Sequence, residues 1–258
     1  MGRVFLVGAG PGDPELLTRK AFRVLQSSDI VLHDSLVSEE VLRLIPARAD
    51  RMDVGKRQGY KLLTQQDINS LLVAAAGQHE CVVRLKGGDP LLFGRAAEEI
   101  LALREAAVEF EIVPGISAGI AAAASVRVPL TDRAAASNVL FTTFSRSPEA
   151  LLALRNNLTA ETTVVVYMPG PNYGEVSTWL LEAGLSSDTP CVLVSKATQP
   201  DQITKLSTAA ALGSLEPLPE PTVLIIGRTV APDAVVPSGV EWLRKPSSGR
   251  ISLETLIA

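Results

Sequence analysis

The stretch Cys81-Val82-Val83-Arg84-Leu85-Lys86-Gly87-Gly88-Asp89-Pro90-Leu91-Leu92-Phe93-Gly94-Arg95 decides how the rest of the chain is read. Cys81-Val82-Val83 is a short apolar, β-branched run, Gly87-Gly88 ends it, and Arg95 to Ala107 has the spacing of a helix. The motif therefore lies on a strand-to-helix turn, where open α/β sheets bind ligands. Paired glycines let a backbone approach a ligand closely, and Asp89 beside them offers an acceptor to hydroxyls or to an ammonium. Gly87-Gly88-Asp89-Pro90 equally satisfies a tight turn with a helix-capping aspartate. At this point the local architecture is set and the ligand is open.

Towards the N-terminus the same rhythm recurs. Val4-Phe5-Leu6-Val7 reads as a buried strand running into Gly8-Ala9-Gly10-Pro11-Gly12-Asp13-Pro14, and Glu15 to Ser28 has helical spacing, with Asp13 as its N-cap and Pro14 at its first position. The loop is a poor dinucleotide fingerprint. Its third glycine falls at Asp13, Pro11 stiffens it, and an aspartate at a helix N-terminus repels phosphate. Ile30-Val31-Leu32 is a second strand ending at His33-Asp34, which puts Asp34 on the ligand side of such a sheet. Ser38 to Ile45 reads as a short helix, Met52-Asp53-Val54 as a strand before Gly55-Lys56-Arg57, and Thr64-Gln65-Gln66-Asp67 as a capping box opening a helix to Ala76.

Towards the C-terminus, Phe110 to Val113 is a strand leading to Pro114-Gly115-Ile116-Ser117-Ala118-Gly119 and an Ala-rich helix. Strand and helix alternating to about residue 115 imply a mostly parallel sheet with helices on its faces. The second half repeats the pattern with strands expected at Val139 to Phe144, Val164 to Tyr167, Cys191 to Val194 and Val223 to Ile226. Helices are expected at Pro148 to Asn156 and Glu175 to Glu182, with a short helical piece near Ala209. The expected organisation is α/β: an N-terminal α/β domain over 1–118, a C-terminal α/β domain over 119–232, each with a mostly parallel or mixed sheet, and an irregular tail over 233–258.

Composition narrows the partners. At 258 residues and 47% hydrophobic content the chain can bury a substantial core. A net charge of −4 gives no global attraction to nucleic acid or to an anionic membrane, so an anionic ligand has to be held by a local cationic cluster. Cys81 and Cys191 lie in apolar runs without metal-ligand spacing and are read as reduced core residues; no metal is expected. The apolar run Val4 to Val7 is too short for a signal peptide. The longest uncharged run, Ile112 to Val126, is shorter than the ~20 residues of a spanning helix. A cytoplasmic location, with no membrane or nucleic-acid partner, is the resulting expectation. Gly115-Ile116-Ser117-Ala118-Gly119 matches a nucleophile elbow, but that fold needs its histidine after the serine, and His33 and His79 both precede it.

In order along the chain, Gly8-Ala9-Gly10-Pro11-Gly12-Asp13-Pro14, His33-Asp34-Ser35-Leu36-Val37-Ser38, Val54-Gly55-Lys56-Arg57, Gly87-Gly88-Asp89-Pro90, Val113-Pro114-Gly115-Ile116-Ser117-Ala118, Pro129-Leu130-Thr131-Asp132-Arg133 and Val166-Tyr167-Met168 resemble the uroporphyrinogen-III C-methyltransferases. The match runs from about residue 2 to about residue 230 and is to the stand-alone form of these enzymes. The resemblance implies a tetrapyrrole methylase fold, a homodimer, and S-adenosyl-L-methionine bound between two α/β domains, with S-adenosyl-L-homocysteine as product. It implies methylation of uroporphyrinogen III at carbons 2 and 7 to give precorrin-2. Other corrin-pathway methyltransferases and diphthine synthase share the fold. A non-catalytic nucleotide-sensing module is the alternative from another class.

By motif position the family's cofactor contacts fall on Pro11, Gly87, Gly88, Asp89, Leu92, Ser117, Ala118, Met168 and Ala197, and its proton acceptor and donor on Asp34 and Lys56. The carboxylate-rich tetrapyrrole substrate calls for a local basic cluster, for which Arg57, Arg95 and Arg133 are the candidates, with Glu98 one helical turn from Arg95. Two places depart from the family pattern: Ala96-Ala97 stand where many members carry two glycines, and Phe144-Ser145 where many carry Gly-His. The second is expected to change a substrate-side contact.

Overall fold

The computed structural model describes residues 1–55 and 63–230 and arranges them as two five-stranded sheets flanked by helices. The expected tail over 233–258 lies outside the described residues.

The first sheet contains β1 (Arg3–Gly8), β2 (Ile30–His33), β3 (Asp50–Asp53), β4 (Cys81–Lys86) and β5 (Phe110–Val113). Its spatial order is β3-β2-β4-β1-β5, and every pairing is parallel. Parallel neighbours need crossovers, and α1 (Arg19–Ser27), α2 (Glu39–Leu42), α3 (Gln65–Gln78) and α4 (Ala96–Glu105) lie between successive strands. The period of two along each strand sends Val4, Leu6 and Val82 to a core with Leu72 of α3 and Leu103 of α4. Val7, Val31, Val83 and Leu85 go to the opposite face, against Ala21 and Leu25 of α1 and Val41 of α2. Because all five strands run the same way, the loops after β1, β2, β4 and β5 collect along one edge, which is where an open parallel sheet binds its ligand.

The second sheet contains β6 (Asn138–Thr143), β7 (Thr162–Tyr167), β8 (Pro190–Ser195), β9 (Ile203–Thr208) and β10 (Thr222–Ile226), ordered β6-β7-β10-β8-β9. Only β6 and β7 pair in parallel; the other three pairings are antiparallel. On one face α5 (Ala118–Ser125) packs Ala122 and Ala123 against Val165, Val192 and Ile225. The other face is covered by α6 (Pro148–Asn157) and α7 (Tyr173–Glu182), through Leu154, Val176, Trp179 and Leu180 against Val166, Leu193 and Leu224.

Two local expectations change. The helix expected over Glu15 to Ser28 is a 3-10 turn at Pro14–Leu16 followed by α1, which begins at Arg19. Asp13 caps the turn, its Oδ1 accepting from Glu15 N at 2.9 Å, but Leu17 is extended and Thr18 restarts the helix by accepting from Ala21 N at 3.1 Å. β9 is a strand with no counterpart in the expected set. It is an edge strand whose two faces are both partly exposed, so Ile203-Thr204-Lys205-Leu206-Ser207-Thr208 carries no one-sided apolar signal.

Candidate active site

The ligand-side loops of the first sheet meet main chain to main chain. Gly88 N donates to Gly10 O at 2.7 Å and Gly10 N returns a bond to Gly88 O at 3.1 Å. A Cβ on Gly115 would lie 2.3 Å from Gly88 O and 2.8 Å from Gly8 Cα, so a side chain at this junction would push the three loops apart. Asp89 reinforces the junction: its Oδ1 accepts from Leu91 N at 2.9 Å and its Oδ2 from Gly115 N at 3.0 Å. The carboxylate closes its own turn and ties that turn to the loop after β5, and each oxygen retains a lone pair for a ligand donor.

The second sheet supplies the other wall. Tyr167, at the end of β7, shares a hydrogen bond of 2.6 Å with Ser117 Oγ and accepts from Gly119 N at 2.9 Å. Burial, ahead of these bonds that lower it, raises the Tyr167 phenol above its usual value. Leu92, Ala118 and Ala197 pack in the same apolar cluster as Tyr167, and Met168 beside it is 61% exposed. The loop between β8 and β9 reaches back across the first glycine loop. Thr198 Oγ1 accepts from Asp13 N at 3.4 Å, Gln199 Nε2 donates to Pro11 O at 3.4 Å, and a Cβ on Gly12 would lie 2.6 Å from the Gln199 side chain. Pro11, Gly87, Gly88, Asp89, Leu92, Ser117, Met168 and Ala197 thus lie on loops that touch one another across the two sheets, with Ala118 at the start of α5.

Backbone strain concentrates in these loops. Among the described residues seven non-glycine residues have positive φ, and five of them, Phe93, Arg95, Met168, Lys196 and Thr198, are here. Such conformations persist where the surroundings over-determine them, as ligand sites do. The available donors test the fit to the cofactor. Gly8 to Pro14, Gly87 to Gly94, Pro114 to Gly119 and Tyr167 to Gly170 contain no Arg or Lys, and Lys196 is paired with Asp201. Main-chain amides and carbonyls, hydroxyls and the two carboxylates of Asp13 and Asp89 suit an adenosine with an amino-acid end and do not suit a pyrophosphate. S-adenosylmethionine fits this set.

Beside the loops lies a buried ionic group absent from the sequence expectations. Arg84 and Lys86, on one face of β4, both donate to Glu99 Oε1 of α4, at 2.9 Å from Arg84 Nε and 3.0 Å from Lys86 Nζ. Arg84 Nη2 donates to Asp34 Oδ1. Burial, and then the Arg84 charge, push the Lys86 ammonium below its usual value, with Glu99 and Asp34 opposing. A signal existed: Arg84 and Lys86 are charges at alternate positions in a strand whose neighbours are apolar, and a buried charge needs a partner. Which acid would supply it was not legible, because that follows from how α4 packs.

The remaining candidates divide. Lys56 and Arg57 lie outside the described residues. Arg95 sits at the N-cap of α4 and grips Glu98 with two bonds of 2.8 Å, both side chains largely exposed. Arg133 is exposed in the turn bridged between Asp132 and Ala136. Phe144 packs edge-on against Trp179, with centroids 5.6 Å apart, in the core under α6 and α7, on the sheet face away from α5. His33 is buried with Nδ1 3.2 Å from Asp34 O, as a packed, hydrogen-bonded histidine.

Residues 3–213 match the tetrapyrrole (corrin/porphyrin) methylases. A uroporphyrinogen-III C-methyltransferase of Paracoccus denitrificans is 42% identical over 253 residues, covering 94% of this chain and 88% of that one. A sirohaem synthase of a Psychrobacter species is 44% identical over 88% of this chain, which spans 47% of that longer protein. The uroporphyrin-III C-methyltransferase of Thermus thermophilus, solved with S-adenosylhomocysteine, superposes with a TM-score of 0.76 at 35% identity, covering 89% of this chain and 99% of that one. With its glycine loops, its two sheets and these likenesses together, the chain belongs to the tetrapyrrole (corrin/porphyrin) methylase family.

Proposed function

We propose that this protein is an S-adenosylmethionine-dependent uroporphyrinogen-III C-methyltransferase that methylates carbons 2 and 7 to give precorrin-2 by way of precorrin-1. The observation that carries the reading is the main-chain junction of Gly8, Gly88 and Gly115, whose neighbouring cations Arg95 and Lys196 are each paired with a carboxylate. The likeness to the Paracoccus enzyme along 94% of the chain supports the choice of substrate.

S-adenosylmethionine, when bound, supplies an electrophilic methyl group. Pro11, Gly87, Gly88, Asp89, Leu92, Ser117, Ala118, Met168 and Ala197 are the residues to hold it. A pyrrole carbon of a reduced tetrapyrrole is electron-rich, so the protein's main task is to align it in line with the methyl group. Methylation leaves a cationic macrocycle that becomes neutral by losing a proton from a neighbouring carbon. Asp34, at the carboxyl end of β2 and 28% exposed at its side chain, is the acceptor, and Lys56 the donor. Arg57, Arg95 and Arg133 bind the substrate's carboxylate-rich rim, with Glu98 holding the Arg95 guanidinium in place.

The proposal includes a homodimer acting in the cytoplasm and a division into units 1–118 and 119–232. Among the described residues no helix is long and apolar enough to cross a membrane. The division is supported by α5 packing on the second sheet.

Purified protein incubated with S-adenosylmethionine and enzymatically generated uroporphyrinogen III is expected to yield a dimethylated tetrapyrrole, read by mass spectrometry. Absence of any methylated tetrapyrrole would overturn the assignment.

A further inference from the structure

Two cations of β4 converge on one oxygen of α4. Glu99 is fully buried, and its Oε1 accepts from both Arg84 Nε and Lys86 Nζ. Its Oε2 is buried as well and has no hydrogen-bond partner among the described residues. A carboxylate whose only use was to neutralise two cations would do better by giving one oxygen to each, so the arrangement favours geometry over satisfaction. The geometry is that of Arg84. Its Nε is held by Glu99, its Nη1 lies 3.3 Å from Leu85 O and 3.5 Å from Leu32 O, and its Nη2 donates to Asp34 Oδ1. With all three nitrogens engaged, the guanidinium plane is fixed, and a planar fork transmits a fixed direction to its carboxylate. Exposure rises along the chain of contacts, from 0% at Glu99 to 2% at Arg84 and 28% at Asp34, so it runs from the core to the cleft. The two cations and two carboxylates sum to zero formal charge, which lets the group be buried as a unit.

We propose that Glu99 is a positioning residue for methyl transfer: it sets the direction of Arg84, and through Arg84 it orients the Asp34 carboxylate at the cleft. The inference rests on Asp34 being the proton acceptor. Arg84 takes Oδ1 and leaves Oδ2 outside that hydrogen bond as the atom for the proton. Glu99 touches neither substrate nor cofactor, and its effect belongs in turnover, not in cofactor affinity.

A double-mutant cycle on the full chain tests this. Glu99→Gln keeps the shape and removes the charge that grips Arg84. It is expected to lower kcat on the order of tenfold, short of the ~hundredfold that a 1 Å misplacement costs, while KM for S-adenosylmethionine and affinity for S-adenosylhomocysteine stay unchanged. Combined with Asp34→Asn it should add no further loss, because both act through the same carboxylate. Wild-type kcat in Glu99→Gln, or a full multiplicative loss on top of an impaired Asp34→Asn, overturns the role of Glu99 alone. Wild-type turnover in Asp34→Asn overturns the proton-acceptor reading and this inference with it. Should Glu99→Gln not fold, Glu99→Asp keeps the charge and withdraws the oxygen by one methylene. It should show the same kcat loss, and normal turnover in that variant overturns the proposal.

Discussion

At the carboxyl end of β4 the chain buries charge, with Arg84 and Lys86 on Glu99, whereas at the carboxyl end of β7 it buries only hydroxyls and an amide, with Tyr167 on Ser117 and Gly119. Both groups join a strand end to the helix beside the cleft, α4 in one case and α5 in the other. They differ in what happens when a partner is lost. A buried ion pair deprived of one member leaves an uncompensated charge, while a hydroxyl network deprived of one member leaves a polar group that costs far less. The ionic group holds the Asp34 carboxylate in one orientation, and the neutral group lies in the apolar cluster of Leu92, Ala118 and Ala197. In chain terms, the parallel sheet carries the residues proposed for proton transfer and the mixed sheet carries an apolar wall.

The contrast breaks or holds on measurable stabilities. The largest effect is expected for Arg84→Met, which strands Asp34 and leaves Glu99 with Lys86 alone: about 3–5 kcal/mol lost in denaturant unfolding. A loss below about 1 kcal/mol would place the two groups in the same class. Gly115→Ala comes next, since its Cβ meets backbone of both Gly88 and Gly8; overpacking of this kind costs about 1–3 kcal/mol, and it should weaken S-adenosylhomocysteine binding in calorimetry. Unchanged affinity would show that the loop junction is not part of the cofactor wall.

Tyr167→Phe should cost the least, about 1 kcal/mol near neutral pH, because it leaves Ser117 and Gly119 short of one partner. Alkaline titration of stability sharpens the comparison, because the two groups push in opposite directions. Burial raises the Tyr167 phenol above 10.0, so the folded chain holds that proton more tightly than the unfolded one. Its contribution is complete below pH 10 and is lost as pH rises through the folded value. Burial lowers the Lys86 ammonium below 10.5, so the unfolded chain binds that proton more tightly, and stability rises with pH from the folded value up to about 10.5. Tyr167→Phe is expected to soften the decline above pH 10, and Lys86→Met to remove the rise below 10.5. The same pH curve in wild type and both variants would remove this distinction between the regions.

Much of this molecule was legible in the chain, for local reasons. Turn residues sit beside apolar runs at each ligand loop, so strand, turn and helix could be placed without knowing what packs on them. The pairing of caps shows the limit. Asp13 and Thr18 both offer a helix start, and the extended Leu17 between them settles that the helix proper belongs to Thr18. The glycine loops were legible because a close main-chain approach excludes a side chain at Gly8 and Gly115, and that requirement is written at single positions.

What the sequence by itself determined is the order of strands and helices apart from β9 and the break before α1, the glycine-bearing turns, and the placement of Asp34 and Asp89 after β2 and β4. Each of these follows from interactions within a few residues. Only the tertiary structure decided that Glu99 faces Arg84 and Lys86 while its neighbour Glu98 reaches back to Arg95 in solvent, a choice made by the rotation of α4 on the sheet. It also decided that Phe144 turns to Trp179, that Ile203–Thr208 becomes an edge strand, and that Ser117 meets a tyrosine fifty residues away. These outcomes depend on which faces meet across distant segments, and no local pattern of side chains encodes that meeting.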